Sequence, residues 1–599
     1  MSVETKVTIK NPFPVSVFLS LLLALALPVS AAAQSADNAL AKIIEDHWQY
    51  SLAEDPITAS RMGEAGFSDR LPAVADKDRA RRLAAEKQFL KRLENIQVKE
   101  LSDDNQVNHA MLRWVLKNSI EANELYLDRI PVNTFYAFWN TALNASKGLS
   151  MNTVADYEDY ISRIQDFGRY VDQHLANMRV GIQDRFVLPK IVVKGIAPTV
   201  RALASNTPEQ SSLYEPFANL PASFSASERE RLVKEGTAAI RDVALPALDR
   251  VATFLEGEYM TAASDTLGAE QLPGGKAYYR HAIRTYVTQD MTADEIHSLG
   301  LSEVKRIRSE MDSLIEKSGF EGDFKAFTEF LRTDPQFYAT SAEQLLKEAA
   351  YIAKRTDYRL PEFFGKLPRQ PYGIVPVPDE IAPNYTTASY NPAPVGGTRG
   401  GAYWLNTYAL DQRPLYELVA LSLHEGVPGH HLQSALSKEL ENVPHFRRTL
   451  YLSAFGEGWG LYSERLGVEM GLYDTPYQHF GRLSYEMWRA CRLVIDTGIH
   501  SQGWSRQQAL DFLADNTSLS QANVRAEVDR YISWPGQALS YKMGEIKIRQ
   551  LRARAEEALG KDFDIREFHD TLLGNGALPL ELLDAQIQAY IENHKSGAE

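Results

Sequence analysis

Along most of the chain, apolar residues recur at intervals of three and four, the spacing that gathers them on one face of an α-helix. Within Asp78–Leu93 that stripe is Ala80, Leu83, Leu90 and Leu93. Thr292-Ala-Asp-Glu295 has the reciprocal capping pattern that opens a helix, and His297, Leu301, Val304, Ile307 and Met311 follow on one predicted face. Between Pro361 and Tyr408 the texture changes to Pro, Gly, Tyr and β-branched residues. Pro371-Tyr-Gly-Ile-Val-Pro-Val-Pro378, Asn384-Tyr-Thr-Thr-Ala-Ser-Tyr390 and Gly400-Gly-Ala-Tyr-Trp-Leu-Asn-Thr407 are short alternating runs bounded by turn residues, which predicts a small sheet or hairpin. Helical periodicity resumes after Asp411 and runs almost to the end. The expected fold is mostly α and two-lobed, with a helical scaffold lobe over 34–360 and a catalytic lobe over 361–599. The small β-sheet or hairpin belongs near the active site.

Residues 1–33 stand apart from this pattern. Lys6 and Lys10 precede a mostly apolar run from Val15 to Leu27, and Ser30-Ala31-Ala32-Ala33 then offers small residues before Gln34. That order predicts a cleavable signal peptide cut after Ala33, and a periplasmic or secreted protein. No later stretch is apolar enough to span a bilayer, so no stable membrane insertion is expected. No cysteine follows the cut closely, so a lipid anchor is not expected either.

Composition narrows the chemistry. With 44% hydrophobic and 24% charged residues in 599, the chain can bury a large core, which excludes a disordered or disulfide-stapled protein. Cys491 is its single cysteine, so any metal must be held by histidines and carboxylates. The formal charge of -14 disfavours nucleic acid as a partner, because phosphate binding needs a basic surface.

Three of the 13 histidines fall in His424-Glu-Gly-Val-Pro-Gly-His430-His431, at the end of the apolar helix predicted over 415–423. Two histidines four apart on a helix reach one zinc ion, with the Glu beside the first addressing its water. Here the step is six, which on an unbroken helix means a turn of about 600° and a rise of about 9 Å, so the rings would point apart. Gly426, Pro428 and Gly429 supply a break that can return His430 towards His424. His431 is the second choice of ligand. Glu457, 27 positions beyond His430, is the expected third ligand, and Glu464 lies on nearly the same face to hold a ligand imidazole.

His-Glu-x-x-Pro-Gly-His, Glu457-Gly-Trp-x-Leu-Tyr-x-Glu464, Arg492-Leu-Val-Ile-Asp-Thr-Gly-Ile-His500 with Gly503-Trp-Ser505, and Pro535-Gly-Gln-Ala-Leu-Ser-Tyr-Lys542 together resemble the bacterial domain-of-unknown-function family 885. Leu272-Pro-Gly-Gly-Lys-Ala-Tyr-Tyr279 and Leu299-Gly-Leu-Ser-Glu-Val304 add to the match, which extends over nearly the whole mature chain. The resemblance implies a zincin-like fold and metallopeptidase activity. One departure is Gly456, where the family usually has Val.

The remaining candidates surround this set. Arg492, Asp496 and His500 form one helical stripe, in which Asp496 would orient His500 and Arg492 would bind a carboxylate. His500 or the Tyr541 phenol would donate to the oxyanion. Tyr385, Tyr390 and Arg399 on the small sheet would contact an extended substrate. The resulting expectation is a hydrolase of peptide bonds in short peptides, with one Zn2+ per chain held by His424, His430 and Glu457, and Glu425 as general base. The alternatives are a metal-dependent amidase or esterase, and a non-catalytic peptide-binding protein.

Overall fold

The computed structural model describes residues 31–379, 381–393, 399–441 and 443–597. The predicted signal segment before Ala31 lies outside them. The protein is mostly α-helical with one small three-stranded mixed sheet. Among the described residues, no helix is long and apolar enough to cross a membrane.

Eleven elements position the site. They are α1 (Gly275–Val287), α2 (Ala293–Ser318), β1 (Tyr372–Pro376), β2 (Ala388–Asn391), β3 (Gly401–Leu405), α3 (Leu415–Glu425), α4 (His430–Lys438), α5 (Ser453–Glu469), α6 (Pro476–His500) and, grouped as the C-terminal pair, α7 (Gln521–Ser533) with α8 (Ser540–Leu559). The strand order is β1-β3-β2, with β1 parallel and β2 antiparallel to β3. Tyr390 pairs with Tyr403, whose ring is fully buried and whose hydroxyl lies 3.5 Å from Ser422 Oγ on α3.

The α2 cap forms as its pattern predicts, with the Thr292 and Glu295 side chains each bonding the other's backbone N–H. Its buried face differs in one position. Leu301 is 45% exposed, whereas Gly300 faces α6, and a Cβ at Gly300 would lie 2.8 Å from Leu493 Cβ. The glycine lets the two backbones close, and that contact turns Leu301 outwards. In the stripe over 78–93, Leu93 is buried, Leu83 and Leu90 are half-buried, and Ala80 is exposed.

Helix α6 is the axle of the molecule. From Phe480 to His500 every residue but Trp488 is buried, and Trp488 packs against both of the larger apolar clusters. One cluster joins residues between Ile57 and Phe337 to α6 and α7. The other joins residues between Leu40 and Leu116 to the sheet, α3, α5, α8 and the C-terminal helices. Each therefore draws on both sides of position 360.

A helix buried on all sides usually reads as apolar throughout, yet α6 carries Arg482, Glu486, Arg489, Arg492 and Asp496 inside the protein. These charges persist because they are paired. Lys542 on α8, with no exposed surface, donates to Glu486 and Glu545 at 2.8 Å each and lies 3.0 Å from Glu303 on α2. Glu486 also accepts from Arg482 at 2.8 Å and from Arg306. The network ties α2, α6 and α8 together. Lys542→Met should leave the carboxylates under-compensated and destabilise the fold by about 3–5 kcal/mol, the usual cost of removing one partner of a buried ion pair. Denaturant unfolding of the two proteins checks it; equal midpoints and slopes would show that the network contributes nothing.

Candidate metal centre

Helix α3 ends where the chain's chemistry begins. Gly426 leaves the helical region at φ -92°, ψ -128°, the Val427–Pro428 peptide is cis, and α4 starts at His430. The Gly429 N–H donates to the Leu423 carbonyl and the His431 N–H to the Gly426 carbonyl, so the break is closed by its own backbone. No side chain fits at Gly429, where a Cβ would lie 2.0 Å from the His424 carbonyl oxygen. Over this break the rings of His424 and His430 meet at right angles with centroids 4.7 Å apart.

Helix α5 brings the carboxylate. Glu457 Oε2 lies 3.4 Å from His424 Nε2 and 3.5 Å from His430 Nε2, and one ligand atom from each of the three residues falls within 4.8 Å of the others. Two imidazole nitrogens and a carboxylate oxygen around one point are a donor set suited to a divalent transition metal, so the residues present fit such an ion. His424 is buried while His430 and Glu457 are half-buried, which leaves one side of the trio accessible.

The rest of the Glu457–Glu464 segment builds the surroundings. Gly458 sits against Gly544 of α8, where a Cβ would lie 2.4 Å from the Gly544 Cα. Trp459 donates from its indole to the Pro428 carbonyl at 2.7 Å and so holds the broken loop from the next helix. At Gly460 a Cβ would come within 2.6 Å of the His424 ring. Glu464 Oε1 accepts from His424 Nδ1 at 2.8 Å, which turns the Nε2 lone pair towards Glu457. Glu425 is buried at the end of α3, next to His424.

Tyr451, which the sequence did not single out, donates to Glu457 Oε1 at 3.1 Å. Its ring lies over Gly456, where a Cβ would meet it at 2.6 Å. The absence of a side chain at Gly456 therefore has a local consequence: it makes room for this phenol. A loop tyrosine offers no periodic or spacing signal by which it could be found.

The other candidates separate. His431 is directed to the sheet, donating from Nε2 to the Gln370 carbonyl and accepting at Nδ1 from Tyr390, each at 3.0 Å, with burial pushing it down to about 4. Tyr385 bonds Ser389 at 2.6 Å, and the exposed Arg399 donates to the neighbouring Gly400 carbonyl. The expected Asp496–His500 pair does not form. Asp496 instead accepts from the Tyr279 hydroxyl at 2.7 Å and from the Gly536 N–H, and burial raises it to about 7. His500 accepts from the Ala269 N–H at Nδ1 and donates from Nε2 to the Tyr531 carbonyl. Both of its nitrogens are committed to backbone, so it holds no free donor for an oxyanion, and burial pushes it down to about 4. Arg492 donates to Tyr531 and Glu527, and its guanidinium stacks 4.2 Å from the centre of the Tyr541 ring. Tyr541 itself accepts from Arg530 at 3.3 Å.

Burial opposes a charged His424, but the Glu457 and Glu464 carboxylates on its two nitrogens outweigh burial and raise it to about 10. The same contacts hold Glu457 well below the ordinary carboxylate range despite its burial. Below about pH 10 the metal-free His424 therefore carries a proton that an ion must displace. Metal binding near neutral pH should release about one proton from this residue and weaken as pH falls. Calorimetric titration of metal-free protein in buffers of different ionisation enthalpy reads that proton; buffer-independent heats would contradict the assignment.

Gly456→Val should push the Tyr451 phenol off Glu457 while leaving the three donors in place. Tyr451→Phe removes the same contact without adding bulk, so both variants should change metal affinity in the same direction, by about 10- to 100-fold for one hydrogen bond to a charged group. A competition titration with a chromogenic chelator would show it; unchanged affinity in both would mean that the phenol does not act on Glu457.

The fold and the family are shared with other bacterial proteins. The solved structure of a protein from Colwellia psychrerythraea, described as a "putative lipoprotein", superposes with a TM-score of 0.85 at 25% identity, over 94% of this chain and 99% of that one. A second so described, of unknown function, from Shewanella oneidensis, superposes with a TM-score of 0.73 at 16% identity, over 92% and 99%. Among curated proteins no match is found. The family model described as "Bacterial protein of unknown function (DUF885)" matches residues 56–587, and the chain belongs to that family.

Proposed function

We propose that this protein is a metal-dependent hydrolase of peptide bonds in short peptides, exported to the cell envelope or beyond. The observation that carries the reading is the convergence of His424, His430 and Glu457 from three helices, with Glu425 adjoining the first ligand and Glu464 fixing its ring. The basic and apolar N-terminal run supports export, and the Colwellia relative's description as a lipoprotein agrees with an envelope location.

A zinc-like ion in this donor set would supply Lewis-acid polarisation of the substrate carbonyl and a water acidic enough to react near neutral pH. The protein's own groups handle the protons. Glu425 accepts one from the attacking water and passes it to the leaving nitrogen, so that one product gains a carboxylate and the other an amine. Glu464 keeps the Nδ1 proton on His424 and so fixes the tautomer. Tyr541, whose oxygen already accepts from Arg530, keeps its own proton for the carbonyl oxygen as negative charge develops there.

Glu425→Gln keeps size and shape but cannot take a proton, so turnover of a peptide library should fall by about 10²–10⁴-fold with metal content and fold unchanged. Glu457→Gln should lose metal first and activity as a consequence, because an amide is the poorer ligand. Tyr541→Phe should retain metal and lose about 10²–10³-fold. Mass-spectrometric detection of cleaved peptides, with metal analysis of each variant, separates these outcomes. Full turnover by metal-loaded Glu425→Gln protein would refute the mechanism.

A further inference from the structure

Next to Tyr541 the protein holds more positive charge than its own carboxylates answer. Arg492 and Arg530 flank the Tyr541 ring and hydroxyl and share one carboxylate, Glu527. Arg492 takes Glu527 Oε2 at 2.9 Å, whereas Arg530 Nη1 stands 3.6 Å from Oε1, beyond a hydrogen bond. Tyr531 is neutral in this setting, burial pushing its phenol well above the ordinary range. One guanidinium charge is thus left over, in a partly apolar wall where it is weakly screened.

The two arginines differ in reach. Arg492 is buried, 2% exposed, and its Nη1 has no hydrogen-bond partner. Its guanidinium lies against Trp488 and Tyr541. Arg530 keeps 18% of its side chain exposed and lies 5.4 Å from the centre of the Phe135 ring and 5.9 Å from that of Trp534. Phe135 is 68% exposed and stacks on Trp534, so Arg530 opens to an aromatic patch at the surface. Its Nη2 is already fixed by Gln537 at 2.7 Å. With Nη2 taken by Gln537 and by the Tyr541 oxygen, Nη1, 3.6 Å from Glu527, is the donor left for an incoming anion.

We infer that Arg530, backed by the charge of Arg492, binds the C-terminal carboxylate of the peptide, which makes the enzyme a C-terminal exopeptidase. The inference rests on the hydrolase reading and adds the end of the substrate that is recognised. Arg530 Nη2 lies 3.3 Å from the Tyr541 hydroxyl, the group assigned to the carbonyl oxygen of the bond being cleaved. An extended chain advances about 3.3–3.6 Å per residue, so a carboxylate on Arg530 places the cleaved bond one or two residues from the C-terminus. Water adds across that bond, leaving a shortened peptide with a new carboxylate and releasing a free amino acid or dipeptide.

Matched tetrapeptide libraries, one with free C-terminal acids and one with C-terminal amides, test this against metal-loaded protein. The acid library should be cleaved about 10- to 100-fold faster in kcat/KM, as for loss of one hydrogen-bonded charge, with products shortened by one or two residues from the C-terminus. Arg530→Gln should reduce that preference to near unity with metal content and thermal midpoint unchanged, and Arg530→Lys should restore part of it. Calorimetry of metal-loaded Glu425→Gln protein with both libraries reads recognition without turnover. Acid-selective binding with no cleavage by the wild type would support the carboxylate site and sink the hydrolase reading. Equal cleavage of acids and amides, or internal cleavage, would uphold the hydrolase and overturn the inference. No binding and no cleavage of either library would overturn both.

Discussion

The site depends on a backbone break held from outside. Two histidines six residues apart cannot face one point on a regular helix, and the chain between them gains its shape from glycines that tolerate close carbonyl contact. What fixes the broken segment is the Trp459 indole, which donates to the Pro428 carbonyl from the helix that also brings Glu457. The same eight-residue stretch therefore supplies the third donor, the clasp on the loop carrying the first two, and at Glu464 the acceptor that orients His424. The donors and their support cannot move independently.

Glycine contacts set how closely these helices approach. Gly458 against Gly544, and Gly460 under the His424 ring, remove the side-chain layer that normally separates packed helices by 8–10 Å between axes. Helix α8, which carries Tyr541, is thereby brought directly against α5. Such contacts leave no room for relaxation, so substitutions there act on stability and on site geometry together.

Around this centre the fold spends its polar groups in two ways. Lys542, Glu486, Glu545, Glu303, Arg306 and Arg482 neutralise one another inside the helix junction and tie it in register. Near Tyr541 the balance is different: Arg492 and Arg530 share Glu527, and charge remains for a ligand. Asp496 and His500, which lie on the same helix as Arg492, are likewise committed within the protein, but to Tyr279 and to backbone groups of the surrounding chain.

Periodicity alone determined that the protein is mostly helical and that a small sheet interrupts it after Pro361, because amphipathic spacing and turn chemistry are local. It also determined that the helix must break between Glu425 and His430, since Gly, Pro and Gly there leave the backbone few alternatives. The clustering of His424, His430 and Glu457 was legible for the same reason: metal donors need specific side chains at spacings that helices make predictable. Tertiary structure decided the rest. Whether Asp496 meets His500 or Tyr279 depends on which helix packs across α6, and four residues of spacing cannot choose between them. Leu301 turned outwards because Gly300 lets two backbones meet, a preference set by the partner helix. Tyr451 reached Glu457 from six residues before it, and Arg530 reached Tyr541 from 11 residues before it, each across the start of a helix that periodicity does not orient. Such contacts arise from how elements pack, near or far along the chain, where side-chain reach and available volume decide the partner.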